Sequence, residues 1–161
     1  MLTENVSDRE FMSLALEEAG IALEENHVPV GAVIVWNNQV IARTRNQVEA
    51  MESSLAHAEM LALQSAQQFL FHHRGECTIY TTLEPCMMCL GAIVYAGFAR
   101  LVVAALAPGV GALDLLKLSD YYGSRSPGIV AGVLEKESRD LILEYYHRTG
   151  LRGDLLGLPK G

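Results

Sequence analysis

The sequence predicts an α/β layered domain built on a central mixed sheet. Short β-branched apolar runs recur along the chain, and segments of helical character alternate with them after an initial hairpin. With 161 residues, 50% of them hydrophobic and 19% charged, the chain can bury one substantial core and is not largely disordered. No internal repeat, low-complexity tract or linker breaks the pattern.

The elements follow in order. Asp8 is the candidate N-cap of a helix running to about residue 25, with Phe11, Leu14, Ala15, Ala19 and Ala22 on its buried face. His27-Val28-Pro29 ends it. Residues 30–36 are a β-branched run, and Asn37-Asn38 turns the chain into residues 40–45, which reads as a hairpin. A polar connection, 46–54, leads to good helix formers over 56–69. Residues 77–82 form a strand that Glu84-Pro85 stops, and Pro85 suits the start of a helix over 86–97. Residues 101–106 are again strand-like; 107–111 are a loop; 113–118 are a candidate short helix. A fifth strand at 128–133 and a final helix at 135–148 complete the domain, assigned to residues 1–148. Residues 149–161 read as a loosely held tail, because Gly150, Gly153, Gly157, Pro159 and Gly161 discourage a helix.

Charge limits the choice of partners. The formal net charge is −7, and residues 1–100 carry five Arg and no Lys against twelve acids. A broad basic footprint for a nucleic-acid backbone is therefore absent from that part, although a local patch remains open to it. No uncharged apolar run reaches the roughly 18 residues that a membrane helix needs. The first ten residues lack the basic-then-apolar profile of a signal peptide. Three cysteines are too few for a disulfide scaffold, so the chain reads as cytoplasmic, with no membrane partner.

Two segments carry chemistry: Ala56-His57-Ala58-Glu59 and Pro85-Cys86-Met87-Met88-Cys89, each opening a predicted helix. Cys86 and Cys89 are three apart and share one face of a first helical turn, where the helix N-terminus favours thiolates. On their own they would also suit a redox pair, half of a zinc ribbon or two core thiols; a ribbon would need a second Cys pair, and none exists. With His57 as third ligand they make a His/Cys/Cys set with one open position, the pattern of a catalytic zinc. Glu59 lies roughly 200° around a helix from His57, too far to chelate beside it. A carboxylate there can take a proton from an activated water instead. Cys77, in a strand without a partner at ligand spacing, is assigned to the core.

His-x-Glu with Pro-Cys-x-x-Cys is the signature of the zinc nucleobase deaminases. At these residues the chain resembles the cytidine and deoxycytidylate deaminase superfamily, and within it the bacterial tRNA-specific adenosine deaminases. The resemblance spans roughly residues 8–148. It includes Val28-Pro29-Val30-Gly31-Ala32-Val33, the turn at Asn37-Asn38, Asn46, and Leu83-Glu84 ahead of the cysteines. It implies a three-layer cytidine-deaminase-like fold, a mixed five-stranded sheet flanked by helices, with Zn2+ between the two motif helices. It also implies a homodimer, which apolar Gly/Ala-rich surface on the Cys86 helix would suit. By the same resemblance Asn46 hydrogen-bonds the target base, the backbone of Ala58 and of Leu83 and Glu84 lines its edge, and Val30 packs on its face. From the residues alone, Asn46 closing the hairpin and Val30 as ordinary core stay open.

The chain departs from that branch in three places. Ser53-Ser54-Leu55 stands where Asp-Pro-Thr is usual, residues 105–112 carry no charge where the relatives' RNA-contacting loop is charged, and no basic cluster ends the last helix. Missing phosphate contacts weigh against an RNA substrate, because counterion release supplies much of RNA affinity. Tyr145 and Tyr146 either cover the pocket or pack the last helix on the sheet. The expected reaction is hydrolytic deamination of a nucleobase, with Glu59 moving the proton. Adenosine in a tRNA anticodon loop is the favoured substrate, ahead of a free base, nucleoside or small aminated heterocycle of the guanine or cytosine type. A non-catalytic zinc-stabilised RNA-binding or subunit-partner domain is the rival of another class, and Glu59 argues against it.

Overall fold

The computed structural model describes Met1 and residues 6–151; most of the predicted tail, 152–161, lies outside the described residues. Five strands form one sheet in the order β2-β1-β3-β4-β5. They are β1 (Gly31–Trp36), β2 (Gln39–Arg45), β3 (Thr78–Leu83), β4 (Arg100–Ala105) and β5 (Gly128–Ala131). The hairpin pairs β1 with β2 antiparallel, β1 also runs antiparallel to β3, and β3, β4 and β5 are parallel. The sheet is mixed, as expected. Asn37 and Asn38 take left-handed φ of 47° and 60°, the geometry of a tight two-residue hairpin turn.

Helices cover both faces, giving three layers. α1 (Val6–Glu24) packs on β1, β2 and β3 with α6 (Glu135–Thr149) beside it, while α2 (Ala58–Ser65) packs against β1, β2 and α4 (Met87–Ala96). Strand alternation divides the core accordingly. Val33, Val35, Tyr80, Val102 and Ala104 meet Phe11, Met12 and Ala15 of α1. Ala32, Ile34, Ile79, Leu101 and Val103 meet Ala58, Ala62, Leu90 and Ile93 of α2 and α4. β3 and β4 are buried almost throughout, as central parallel strands should be. Cys77 is buried, its thiol 3.8 Å from the His73 carbonyl.

Two local expectations are corrected. Asp8 does not cap α1: it lies within the helix, 0% exposed, and accepts hydrogen bonds from Arg100 of β4 and Tyr80 of β3. The helix expected over 56–69 starts at Ala58 and is broken at Ala66 (φ −102°, ψ 7°), after which α3 (Gln67–His72) follows. The short helix expected over 113–118 is present, as the 3-10 helix Leu113–Leu118. A one-turn helix, α5 (Asp120–Gly123), capped by the Ser119 side chain, was not foreseen. No helix among the described residues is long and apolar enough to cross a membrane.

Candidate active site

Both motif segments end the same way: a residue in extended conformation caps a helix, and its side chain turns from capping to the site. His57 (φ −68°, ψ 150°) is the N-cap of α2 and Cys86 (φ −68°, ψ 171°) the N-cap of α4, and neither side chain bonds its own helix. Cys89 sits one turn into α4, buried behind Cys86. The three ligand atoms lie within 4.8 Å of one another, and they are the one such group of metal-binding type among the described residues. Sγ to Sγ is 3.7 Å; His57 Nδ1 is 3.7 Å from Cys86 Sγ and 3.5 Å from Cys89 Sγ.

These spacings test the fit of a metal. A tetrahedral zinc with usual bond lengths sets two thiolate sulfurs about 3.8 Å apart and a sulfur and an imidazole nitrogen about 3.6 Å apart. The trio matches both. Hydrogen bonds from Cys89 and His57 pull the Cys86 thiol down to about 4, while the same contact and burial push Cys89 up. His57 is raised by its contact with Cys86, so metal binding would displace protons from the trio.

Glu59, in the first turn of α2, is 4% exposed, and burial pushes its carboxyl up. Its Oε1 is 3.5 Å from the hydroxyl of Thr81, which donates to the Leu83 carbonyl at 3.0 Å. A cavity of about 370 Å³ opens onto His57, Glu59 and Cys86, a volume in the range of small-ligand pockets. Its walls include Val30, Asn46, Ala58, Leu83 and Glu84, the five residues that the resemblance implies contact the base, beside the His/Cys/Cys trio. The backbone ties these walls together: Asn46 N–H donates to the Val30 carbonyl at 2.9 Å, and Thr44 Oγ1 donates to the Ala58 carbonyl at 2.7 Å. Asn46 Oδ1 accepts from Val48 N–H at 2.9 Å, so Asn46 both shapes its turn and faces the cavity.

Sequence reasoning missed Val28, Val48, Glu49 and Val110 as lining residues. Val28 stands inside the Val-Pro-Val motif and was within reach; Glu49 is held by His27 Nδ1 at 2.9 Å, a contact with no local signature. Tyr145 is buried and Tyr146 packs on the core, and neither lines the cavity.

Comparison with known proteins agrees with this geometry. Residues 6–136 match the model of a family described as MafB19-like deaminase. A tRNA-specific adenosine deaminase of Bacillus subtilis is 38% identical over 142 residues, covering 86% of this chain and 88% of that protein. One from Agrobacterium fabrum is 35% identical over 144 residues, covering 88% and 95%. A structure from a study of A-to-I editing by tRNA:A34 deaminases at the wobble position superposes with a TM-score of 0.72 at 36% identity, covering 82% of this chain and 98% of the other.

Proposed function

The chain belongs to the MafB19-like deaminase family, and from that premise we propose that it is a zinc-dependent hydrolytic deaminase converting adenosine to inosine in a tRNA anticodon loop. One observation carries the chemistry: buried Glu59 lines the same cavity as His57 and Cys86, two members of a His/Cys/Cys trio at tetrahedral zinc spacing. The relatives named as tRNA-specific adenosine deaminases support the substrate.

His57, Cys86 and Cys89 would hold the ion, which supplies Lewis-acid activation of water when bound. Glu59 accepts a proton from the attacking water, whose oxygen adds to C6 of adenine. Glu59 passes that proton to N1, then moves a second from the new hydroxyl to the amino group. The C6–N bond breaks, ammonia departs and the inosine carbonyl remains. A carboxyl raised by burial suits a group that must both take and return a proton near neutrality. Ala58 opens α2, where a backbone N–H lacks an intrahelical acceptor and is free for a base edge. Asn46 supplies a side-chain hydrogen bond, the backbone of Leu83 and Glu84 lines the edge, and Val30 packs on the face of the base.

We read the enzyme as a cytoplasmic homodimer. Support for the dimer is the apolar cleft between α2, α3 and α4, lined by Met60, Leu63, Phe71, Ala92 and Tyr95, with Phe71 and Tyr95 largely exposed.

The test is a mass-spectrometric screen of zinc-loaded protein against adenine, guanine, cytosine, their nucleosides and an anticodon stem-loop RNA, with Glu59→Ala as control. Inosine in the RNA is expected. Turnover of a free base or nucleoside with silent RNA would overturn the tRNA reading, a contrast sharpened by the uncharged loop after β4 and the acidic Glu49 and Glu84 in the pocket wall. No turnover of any substrate would sink the enzyme reading itself.

A further inference from the structure

Glu84 lines the cavity, but its carboxylate is committed elsewhere. Its backbone N–H donates to the Ala105 carbonyl at 2.8 Å and extends the pairing of β3 with β4. The side chain then reaches the loop that follows β4. Oε2 accepts from Ala107 N–H at 2.9 Å and Oε1 from Leu113 N–H at 3.0 Å, so one carboxylate holds both ends of residues 107–113. Ala112 N–H donates to the Pro85 carbonyl at 3.0 Å, tying the segment to the residue before Cys86. From this segment Val110 alone forms part of the cavity wall.

Gly111 records the same arrangement. A Cβ there would stand 2.1 Å from Glu84 Cδ and 2.4 Å from each carboxylate oxygen. Gly111 has no left-handed φ, so the reason for glycine is clearance for this carboxylate. Residues 107–113 carry no charge, and no side chain of the segment could secure it by an ion pair. The geometry points to Glu84 as a positioning residue: its carboxylate clamps the 107–113 loop and seats Val110 as the wall against which the target base is held, with Gly111 as the space the clamp needs. The inference rests on the deaminase reading of the same cavity and assigns Glu84 a task apart from touching the base.

The clamp is tested by a cycle of Glu84→Ala and Gly111→Ala in the full-length, zinc-loaded protein, read by amide exchange and by kinetics. Exchange at Ala107 and Leu113 should speed up at least about tenfold in each single variant, as expected when a backbone donor loses a charged acceptor. KM for the stem-loop RNA should rise about tenfold, with kcat within about threefold and zinc content unchanged. Glu84→Gln, which keeps one acceptor oxygen, should fall between. Gly111→Ala should add nothing in the Glu84→Ala background, because the atoms it would strike are gone. Unchanged exchange in Glu84→Ala, unchanged KM, zinc loss, or a Gly111→Ala penalty that persists in that background overturns the proposal. Should wild-type protein leave RNA untouched, the substrate reading fails; exchange and the double variant still decide the clamp, with KM taken on whichever base is turned over.

Discussion

Arg100→Met tests the buried ion pair that joins α1 to the sheet. Arg100 places two guanidinium N–H donors 3.0 and 2.9 Å from the two oxygens of Asp8, and the Tyr80 hydroxyl donates to the same carboxylate at 2.9 Å. Asp8 is 0% exposed and the Arg100 side chain 22%. Methionine keeps the apolar stem and removes the fork, leaving a carboxylate sealed from water. Breaking such a pair from one side costs about 3–5 kcal/mol. The bonds that Asp8 keeps, Tyr80's among them, and the partial exposure of Arg100 place the loss near the lower end, about 3 kcal/mol. For a domain of this size that lowers Tm by about 6–12 °C. Urea and thermal unfolding followed by far-UV circular dichroism read it directly. Because the cluster lies on the α1 face and the cavity on the α2 and α4 face, kcat of the folded variant should not change. The double variant Asp8→Leu with Arg100→Met should regain part of the loss, since the buried charge is gone while the Tyr80 hydroxyl loses its acceptor. A single-variant loss below about 1 kcal/mol, or a double variant that is worse still, would refute the account of this pair.

Other expectations follow from the same structure. Glu59→Ala should retain zinc and lower kcat by about 10²- to 10⁴-fold, the usual worth of a positioned acid/base; retained turnover would remove it from the mechanism. Cys86→Ala should lose both metal and activity, and stoichiometric zinc by elemental analysis would contradict the ligand set. Gly31→Ala would set a Cβ 2.0 Å from the Ala15 carbonyl and 2.9 Å from Ala19 N, backbone that yields only if α1 moves. A destabilisation of about 3 kcal/mol or more is expected in urea, and a near-neutral result would mean that α1 sits less tightly on β1. Burial and the neighbouring Asp8 push the Tyr80 phenol well above its ordinary value. The native state therefore keeps a proton that the unfolded chain releases near pH 10, so this stabilisation is complete below pH 10 and is lost above it, at up to about 1.4 kcal/mol per pH unit. The stability gap between wild type and Tyr80→Phe should narrow between about pH 9.5 and 11.5; parallel curves would exclude the effect.

The parts legible in the sequence are those with a local period or a fixed spacing. β-branched runs marked the strands, Asn37-Asn38 marked the hairpin, and the three-residue interval of Cys86 and Cys89 placed both sulfurs on one turn beside His57. What escaped is non-local. Asp8 looks like a cap from its neighbours, yet the Tyr80 and Arg100 that bond its carboxylate stand 72 and 92 residues further on. Residues 56–69 all favour helix, and the break at Ala66 has no Gly or Pro to announce it. Glu84 was expected to act through its backbone at the base edge, because the amides its carboxylate holds belong to a segment with no periodic pattern. The pocket wall at Glu49 and Val110 likewise comes from loops whose course depends on the finished sheet.

The His/Cys/Cys trio also has a consequence for the order of assembly. His57 and the two cysteines flank β3 in the chain, and β3 runs between β1 and β4 at the middle of the sheet. The sulfurs reach the imidazole only once that central strand has paired on both sides and α2 and α4 have settled on it. An ion arriving early would find at most the local Cys86 and Cys89 pair, with His57 brought in by the folded sheet. Completion of the trio is therefore tied to completion of the sheet, and an ion held by all three residues would add its binding free energy to folding.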